Sequence, residues 1–360
     1  MSDSDCAPDG LDVARSDELP FSTSGPGIGG TLKQSPEDFF VDEIPAYETS
    51  GEGEFLFLQI EKRDLATPDL LRHIEQVLSL KPSDIGCAGR KDAYAVTRQY
   101  VSIPASASDL VEKIETDRIR ILDAKRHGNK LKTGHHRGNR FRIVVRNAVS
   151  DASEIASGLV AELLRTGFPN YFGDQRFGNA GTTADPGFRM LRGERVRRMS
   201  RDGLRFALSA AQSRLFNAWV GARISDGLSD KVLEGDVMQV VASHGPFVVA
   251  DVVAEQARYD HHETVLSGPI FGPKMKQSEG LPAAREQAIL NRFELSRESF
   301  QKFKKLTQGT RRPMVIWPQD LAMLPVENGI EFSFTLPPGV YATCLLRELM
   351  KNAGTSVGEN

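Results

Sequence analysis

The chain has 360 residues, with 45 Lys and Arg against 48 Asp and Glu, 40% hydrophobic residues and 26% charged ones. That length suits roughly two domains, and the balance excludes a mostly unfolded chain, a collagen-like fibre and a disulfide scaffold. No run approaches the roughly 20 apolar residues that span a bilayer, and Cys6, Cys87 and Cys344 stand apart and outside any C-x-x-C. With no basic-then-apolar leader in MSDSDCAPDG, these features point to a cytoplasmic protein without a membrane segment.

The net charge of -3 is unevenly spread. Residues 1–20 hold six acids and one Arg, which leaves the rest of the chain at +2. Residues 118–146 hold ten basic side chains and one acid, and 189–205 hold seven arginines against Glu194 and Asp202. A single such run reads as a solvated face; two of them in a nearly neutral chain suggest a groove that tracks phosphates.

In chain order, residues 1–27 are rich in Ser, Asp, Gly and Pro and read as a disordered acidic tail. The segments 38–44 and 54–61 alternate as strands do. Thr67-Pro68 reads as an N-cap hydroxyl followed by a first-turn proline, with Leu70, Leu71, Ile74, Val77 and Leu78 on one face of a helix over 67–80. Strand patterns follow at 97–103, 118–124 and 139–146, and a helix at 151–166. From Gly167 a Gly-, Asn- and aromatic-rich loop opens a middle region with helices at about 207–226 and 286–306. Strands return near Met314 and in GIEFSFTL, and a helix closes the chain from about Gly339 to Met350. The outer thirds thus share an α+β character, and the middle reads as an insertion.

Several common chemistries find no support. Gly25-Pro26-Gly27-Ile28-Gly29-Gly30 satisfies G-x-G-x-x-G but has no strand before it and no helix after it, so it marks the exit from the tail. The chain lacks H-E-x-x-H, G-x-S-x-G and G-x-x-x-x-G-K-[ST]. No metal or cofactor is expected; His127, His135 and His136 fall in the basic window as groove residues rather than ligands.

The informative stretch is Gly89-Arg90-Lys91-Asp92-Ala93-Tyr94-Ala95-Val96-Thr97-Arg98-Gln99. A glycine-bearing loop delivers Lys91-Asp92 just before a strand, leaving a carboxylate at a loop tip where it can serve as nucleophile or base. On its own this pattern more often marks a turn with a surface ion pair.

The loop resembles the G-x-K-D…A-x-T-x-Q motif of the TruD-type tRNA pseudouridine synthases, and other blocks agree in order. LKQSPEDFFVDEI, HGNKLKTGHHRGNRF, PNYFGDQRFG, LSAAQSRLFN, TRRPMVIWPQ and LPPGVYATCLLREL are each similar to a block of that family, together covering essentially all of 31–350.

The resemblance implies a discontinuous catalytic domain, 28–166 with 317–360. This would be a mixed, mostly antiparallel sheet with helices, interrupted by an inserted α/β domain over 167–316. It implies isomerisation of a uridine in tRNA, at position 13, with Asp92 as the catalytic carboxylate acting at C1′ or C2′. Phe39, Asn139, Phe141 and Tyr341 would meet the everted base, with Lys33 and Lys91 as nearby cations. The family more often has Phe where this chain has Tyr341. The arginine-rich 189–205 and Arg176 would hold tRNA backbone. No obligate protein partner is expected. The alternative is an RNA-binding protein of the same fold whose isomerase activity has lapsed; intact Asp92, Asn139 and Phe39 speak against it.

Overall fold

The computed structural model describes residues 19–178 and 181–352. The first part of the chain contributes β1 (Gly29–Thr31), β2 (Phe39–Pro45), β3 (Phe55–Arg63), α1 (Thr67–Leu78), β4 (Gly86–Cys87), β5 (Val96–Pro104), β6 (Ile119–His127), β7 (His136–Ala148) and α2 (Ala152–Thr166). The middle contributes β8 (Phe168–Pro169), α3 (Asp185–Leu191), α4 (Arg201–Ser225), β9 (Val237–Val240), β10 (Pro246–Val248), α5 (Val252–Asp260), β11 (Thr264–Ile270) and α6 (Gly280–Arg292). The last part adds β12 (Thr310–Pro313), β13 (Val315–Ile316), β14 (Gln319–Val326), β15 (Gly329–Leu336) and α7 (Ala342–Met350).

The larger sheet has nine strands in the order β14-β15-β7-β2-β5-β3-β6, with β1 on β7 and β4 on β5. Every pairing in it is antiparallel except β2 with β5. The fold is therefore α+β with a mixed, mostly antiparallel sheet. β8 pairs with β13 where the chain leaves and re-enters this layer, and the middle builds its own four-stranded antiparallel sheet, β10-β9-β11-β12. α4 lies on β11 at Gly268, where a Cβ would come within 2.6 Å of the Trp219 ring; only glycine admits the helix that close.

Two apolar clusters cover the larger sheet. α1 packs Leu70, Ile74 and Leu78 against Leu58, Ile60, Val101 and Ile103. A larger cluster runs from Phe39, Val41, Phe141 and Ile143 through Leu345 and Leu349 of α7 to Phe216 and Trp219 of α4. Burial of such faces is the main stabilising term.

Three local expectations are corrected. Residues 19–27 are part of the folded structure. Glu348 of α7 accepts the Ser22 and Thr23 N–H groups at 3.0 Å each, and Lys351 Nζ donates to the carbonyls of Thr23, Ser24 and Gly25. The remainder of the expected tail, 1–18, lies outside the described residues. Among the glycines that follow, Gly27 is set by close approach, since a Cβ there would meet the Met350 carbonyl at 2.2 Å. Finally, the expected helix at 286–306 is α6 followed by a separate 3-10 turn, Arg297–Phe303, because Glu294 takes a left-handed φ of 55° that ends the α-helix.

Candidate active site

Register places a row of side chains across five strands. Lys62 of β3 faces Thr97 of β5, Thr97 faces Val41 of β2, Val41 faces Phe141 of β7, and Phe141 faces Phe334 of β15. Two residues further along, Glu43 faces Asn139 and Asn139 faces Leu336. Strand residues two apart share a face, so Lys62, Thr97, Gln99, Glu43 and Asn139 form a polar seam between the two apolar clusters. The loop between β4 and β5, which carries Asp92, lies on this seam.

What holds the loop there is a set of buried polar contacts. Lys62 is fully buried, and its Nζ donates to the backbone carbonyl of Asp92 at 2.8 Å and to that of Leu65. Burial pushes its ammonium down to about 8, against a smaller upward pull from Asp92 and with a smaller downward push from Lys91. The Thr67 hydroxyl accepts the Lys91 N–H at 2.8 Å and lies 2.9 Å from Gln99 Oε1. The N-cap of α1 is Ala66 and no side chain caps it, so Thr67 spends its hydroxyl on the loop rather than on the helix. Lys91 turns inward and pairs with Glu43, the two side chains 6% and 1% exposed. Glu43 also accepts the Tyr100 N–H at 3.1 Å, on the edge of β5 that β2 does not reach. Gly89 has no left-handed φ; the bend is maintained by these contacts rather than by glycine freedom.

Asp92 points the other way. Its carboxylate is a third exposed and receives Lys33 Nζ at 3.3 Å. The same ammonium stands 4.6 Å above the ring of Phe39. Lys33 takes φ 57°, an uncommon conformation for a residue with a Cβ, and so is held in a strained backbone position beside Asp92. The arrangement supplies a reachable carboxylate with the Lys33 ammonium beside it and an aromatic wall.

The other expected site residues divide. Phe39 is buried in β2, and Phe141 stacks on Phe334 with centroids 5.2 Å apart, so both rings belong to the apolar cluster bordering the seam. Asn139 is half-buried on the seam, and its Oδ1 is shielded from solvent with no hydrogen-bond partner among the described residues. Tyr341 sits with a second group: its ring meets Phe172 edge-on at 6.3 Å, and Gly173 packs against it. Burial raises its phenol, with Arg176 and Arg312 pulling the other way. The strand-end loop after Leu336, the partner of Asn139, leads to this group. His127 and His135 turn instead to Tyr47: the His127 ring stacks on it at 5.0 Å, and His135 Nδ1 lies 2.9 Å from its hydroxyl. His136 alone of the three approaches the seam. Burial lowers its pKa, partly offset by Glu43. Among the described residues, no three His, Cys, Asp or Glu side chains gather as a metal site.

Sequence reasoning does not single out Lys62, Glu43 or Thr67 as part of the site. Lys62 carries a signal all the same: it continues the inward parity of Leu58 and Ile60, where a lysine is out of place.

The family model for tRNA pseudouridine synthase D (TruD) matches residues 17–200 and 195–349. The chain belongs to the TruD family. A tRNA pseudouridine synthase D of Anaeromyxobacter sp. (strain Fw109-5) is 40% identical over 339 residues, covering 93% of this chain and 96% of that one. One of Thermus thermophilus is 39% identical over 341 residues, with 94% of each covered. Among solved structures, a protein of Methanosarcina mazei named as a tRNA pseudouridine synthase D aligns with TM-score 0.77 at 25% identity, over 92% of this chain and 96% of that one. Membership of the TruD family places the chain among isomerases. No helix among the described residues is long and apolar enough to cross a membrane.

Proposed function

We propose that this chain converts a uridine of tRNA, at position 13, to pseudouridine, with Asp92 as the catalytic carboxylate. The observation that carries this reading is the loop geometry: a half-buried but reachable carboxylate stands on a backbone fixed by Lys62 and Thr67. In the reaction the N1–C1′ bond breaks, a C5–C1′ bond forms, the C5 proton leaves and N1 gains one. Positive charge develops at C1′ as the first bond breaks, and a nearby carboxylate stabilises or traps it. Asp92 then either bonds to C1′ and is displaced when C5 attacks, or takes the C2′ proton and returns it. Phe39, Phe141 and Tyr341 would border the base and Asn139 would meet its polar edge; Lys33 orients the Asp92 carboxylate, and Lys91 braces the loop from below.

We place the catalytic domain in residues 28–166 and 317–360 and the RNA-gripping insertion in 167–316, with the cytoplasm as the compartment. The test is pseudouridine mapping of an unmodified tRNA transcript after incubation with wild type or Asp92→Asn. Pseudouridine at position 13 with wild type alone supports the proposal. Equal binding with uridine left intact by both proteins would establish a lapsed RNA-binding protein instead.

A further inference from the structure

Two buried arginines of the middle region are each paired with an acid. Arg223 meets Asp236 at 2.7 Å, and Arg311 meets Glu286 at 2.6 Å. Arg312, next to Arg311 on β12, has no carboxylate partner among the described residues. Its guanidinium donates to the carbonyls of Asn170 at 3.1 Å and Gly339 at 3.1 Å and to the side chain of Asn170, all neutral acceptors. Burial pushes Arg312 down to about 10; Tyr341 and Cys344 offset this in part, and Arg176 adds to it. Arg176 likewise has hydroxyl partners, Ser213 Oγ at 3.2 Å and Ser209 Oγ, rather than an acid. Both guanidiniums lie over the Phe172 ring, at 4.2 Å for Arg312 and 5.8 Å for Arg176. Two like charges so placed repel, and neither has a carboxylate counter-ion among the described residues.

On the functional reading above, we propose that Arg176 and Arg312 form a seat for one backbone phosphate of the RNA, beside the nucleotide that Tyr341 borders. A phosphate matches the planar donor forks of two guanidiniums, and it cancels the uncompensated charge. The surroundings favour a nucleic-acid strand over a small anion. Phe206, one turn before Ser209 and Ala210 on α4, is 43% exposed, with the Arg176 guanidinium 5.6 Å from its ring, and it offers a stacking face. Further along α4, Arg201 and Arg205 line a cleft of about 680 Å³ with Lys305 and Gln308 opposite. Asp202 is also in that lining. None of these three cations has an ion-pair partner among the described residues. The stripe 201-205-209-213 runs about 18 Å along the helix, from the cleft to the Arg176 seat.

The experiment measures binding of a fluorescently labelled tRNA transcript to the full-length protein across a KCl series, for wild type, Arg176→Gln and Arg312→Gln. Loss of one phosphate contact lowers the slope of log Kd against log salt by about 1 and weakens binding roughly tenfold at low salt. Arg176→Gln decides the matter if Arg312→Gln unfolds, because the hydrogen bonds of Arg176 go to hydroxyls alone. Unchanged slope and Kd in an Arg176→Gln protein that melts like wild type would overturn the seat. Because the readout is binding, failure of the isomerase reading would show separately, as uridine left intact by a wild type that still binds.

Discussion

Lys91 and Asp92 are adjacent in the chain, and each pairs with an opposite charge, but the two pairs are built for different ends. Lys91–Glu43 is sealed, with side chains 6% and 1% exposed; Lys33–Asp92 opens to solvent, at 11% and 33%. Neither a substrate nor bulk water reaches the first pair, so it can only fasten the loop to the sheet. The second leaves a carboxylate where a ligand can meet it, and its cation comes from a residue held at φ 57°. The peptide link between them transmits the anchoring: Lys62 grips the Asp92 carbonyl while Thr67 accepts the Lys91 N–H. A rigid base beneath a reachable acid is the arrangement that positional catalysis requires.

The sharpest test separates the two pairs by what each supports. Asp92→Asn keeps the side-chain volume and removes the charge. Single-turnover pseudouridine formation is expected to fall by at least about a thousandfold, roughly 4 kcal/mol of barrier. Thermal stability should fall by only about 1 kcal/mol, less than for the sealed pair, since solvent reaches the Asp92 partner. Retention of activity within tenfold of wild type would remove Asp92 from the chemistry.

Glu43→Gln should show the reverse emphasis. Glutamine still accepts the Tyr100 N–H but strands the Lys91 ammonium in a buried site, at an expected cost of about 3–5 kcal/mol in urea unfolding. A loss below about 1 kcal/mol would mean that the sealed pair does not fasten the loop.

Much of the fold is legible from one dimension. The strands over 38–44, 54–61 and 97–103 and the helix over 151–166 follow from period-2 and period-3.6 patterns, and each lies within two residues of its element. The Asp92 loop is legible from its position before a strand. The fastening is not, because it depends on contacts distant in sequence: Glu43 is 48 residues from Lys91, and Lys62 is 30 from Asp92. Thr67 misleads for the same reason, since a hydroxyl before a helix is usually a cap unless something across the fold claims it. The pairing of residues 19–27 with α7 is equally hidden. A Ser- and Pro-rich stretch looks unstructured until Glu348, more than 300 residues away, supplies the acceptor.

Lys62 offers a milder way to separate anchoring from chemistry. An ammonium near 8 when folded and near 10.5 when unfolded binds fewer protons in the folded protein between those values. Stability contributed by this residue therefore rises with pH across that window, by about 3 kcal/mol in all. Lys62→Met removes the titration, so the stability difference between wild type and variant should shift in favour of wild type by about that amount from pH 8 to 10.5. Guanidinium unfolding at several pH values measures it; a constant difference would mean that the lysine titrates normally. Pseudouridine formation by Lys62→Met should also fall at every pH, because the Asp92 carbonyl loses its donor.

The smallest effect on folding is expected at the open pair. Lys33→Asn removes the ammonium from Asp92 and Phe39, at a cost of up to about 1 kcal/mol for a pair that solvent reaches. Asparagine tolerates the left-handed conformation that lysine adopts there only under strain, which returns a similar amount. Net stability in thermal unfolding should therefore stay within about 0.5 kcal/mol of wild type, whereas kcat/KM drops about tenfold because the carboxylate is no longer oriented. Lys33→Gly divides the two contributions further: it also relieves the backbone but presents no polar side chain to Asp92 from position 33. If Asn and Gly variants turn over alike, charge and not hydrogen bonding from position 33 aligns the carboxylate. If Lys33→Asn instead keeps full activity, the open pair is a resting contact, and the sealed base with Lys62 is sufficient to place Asp92.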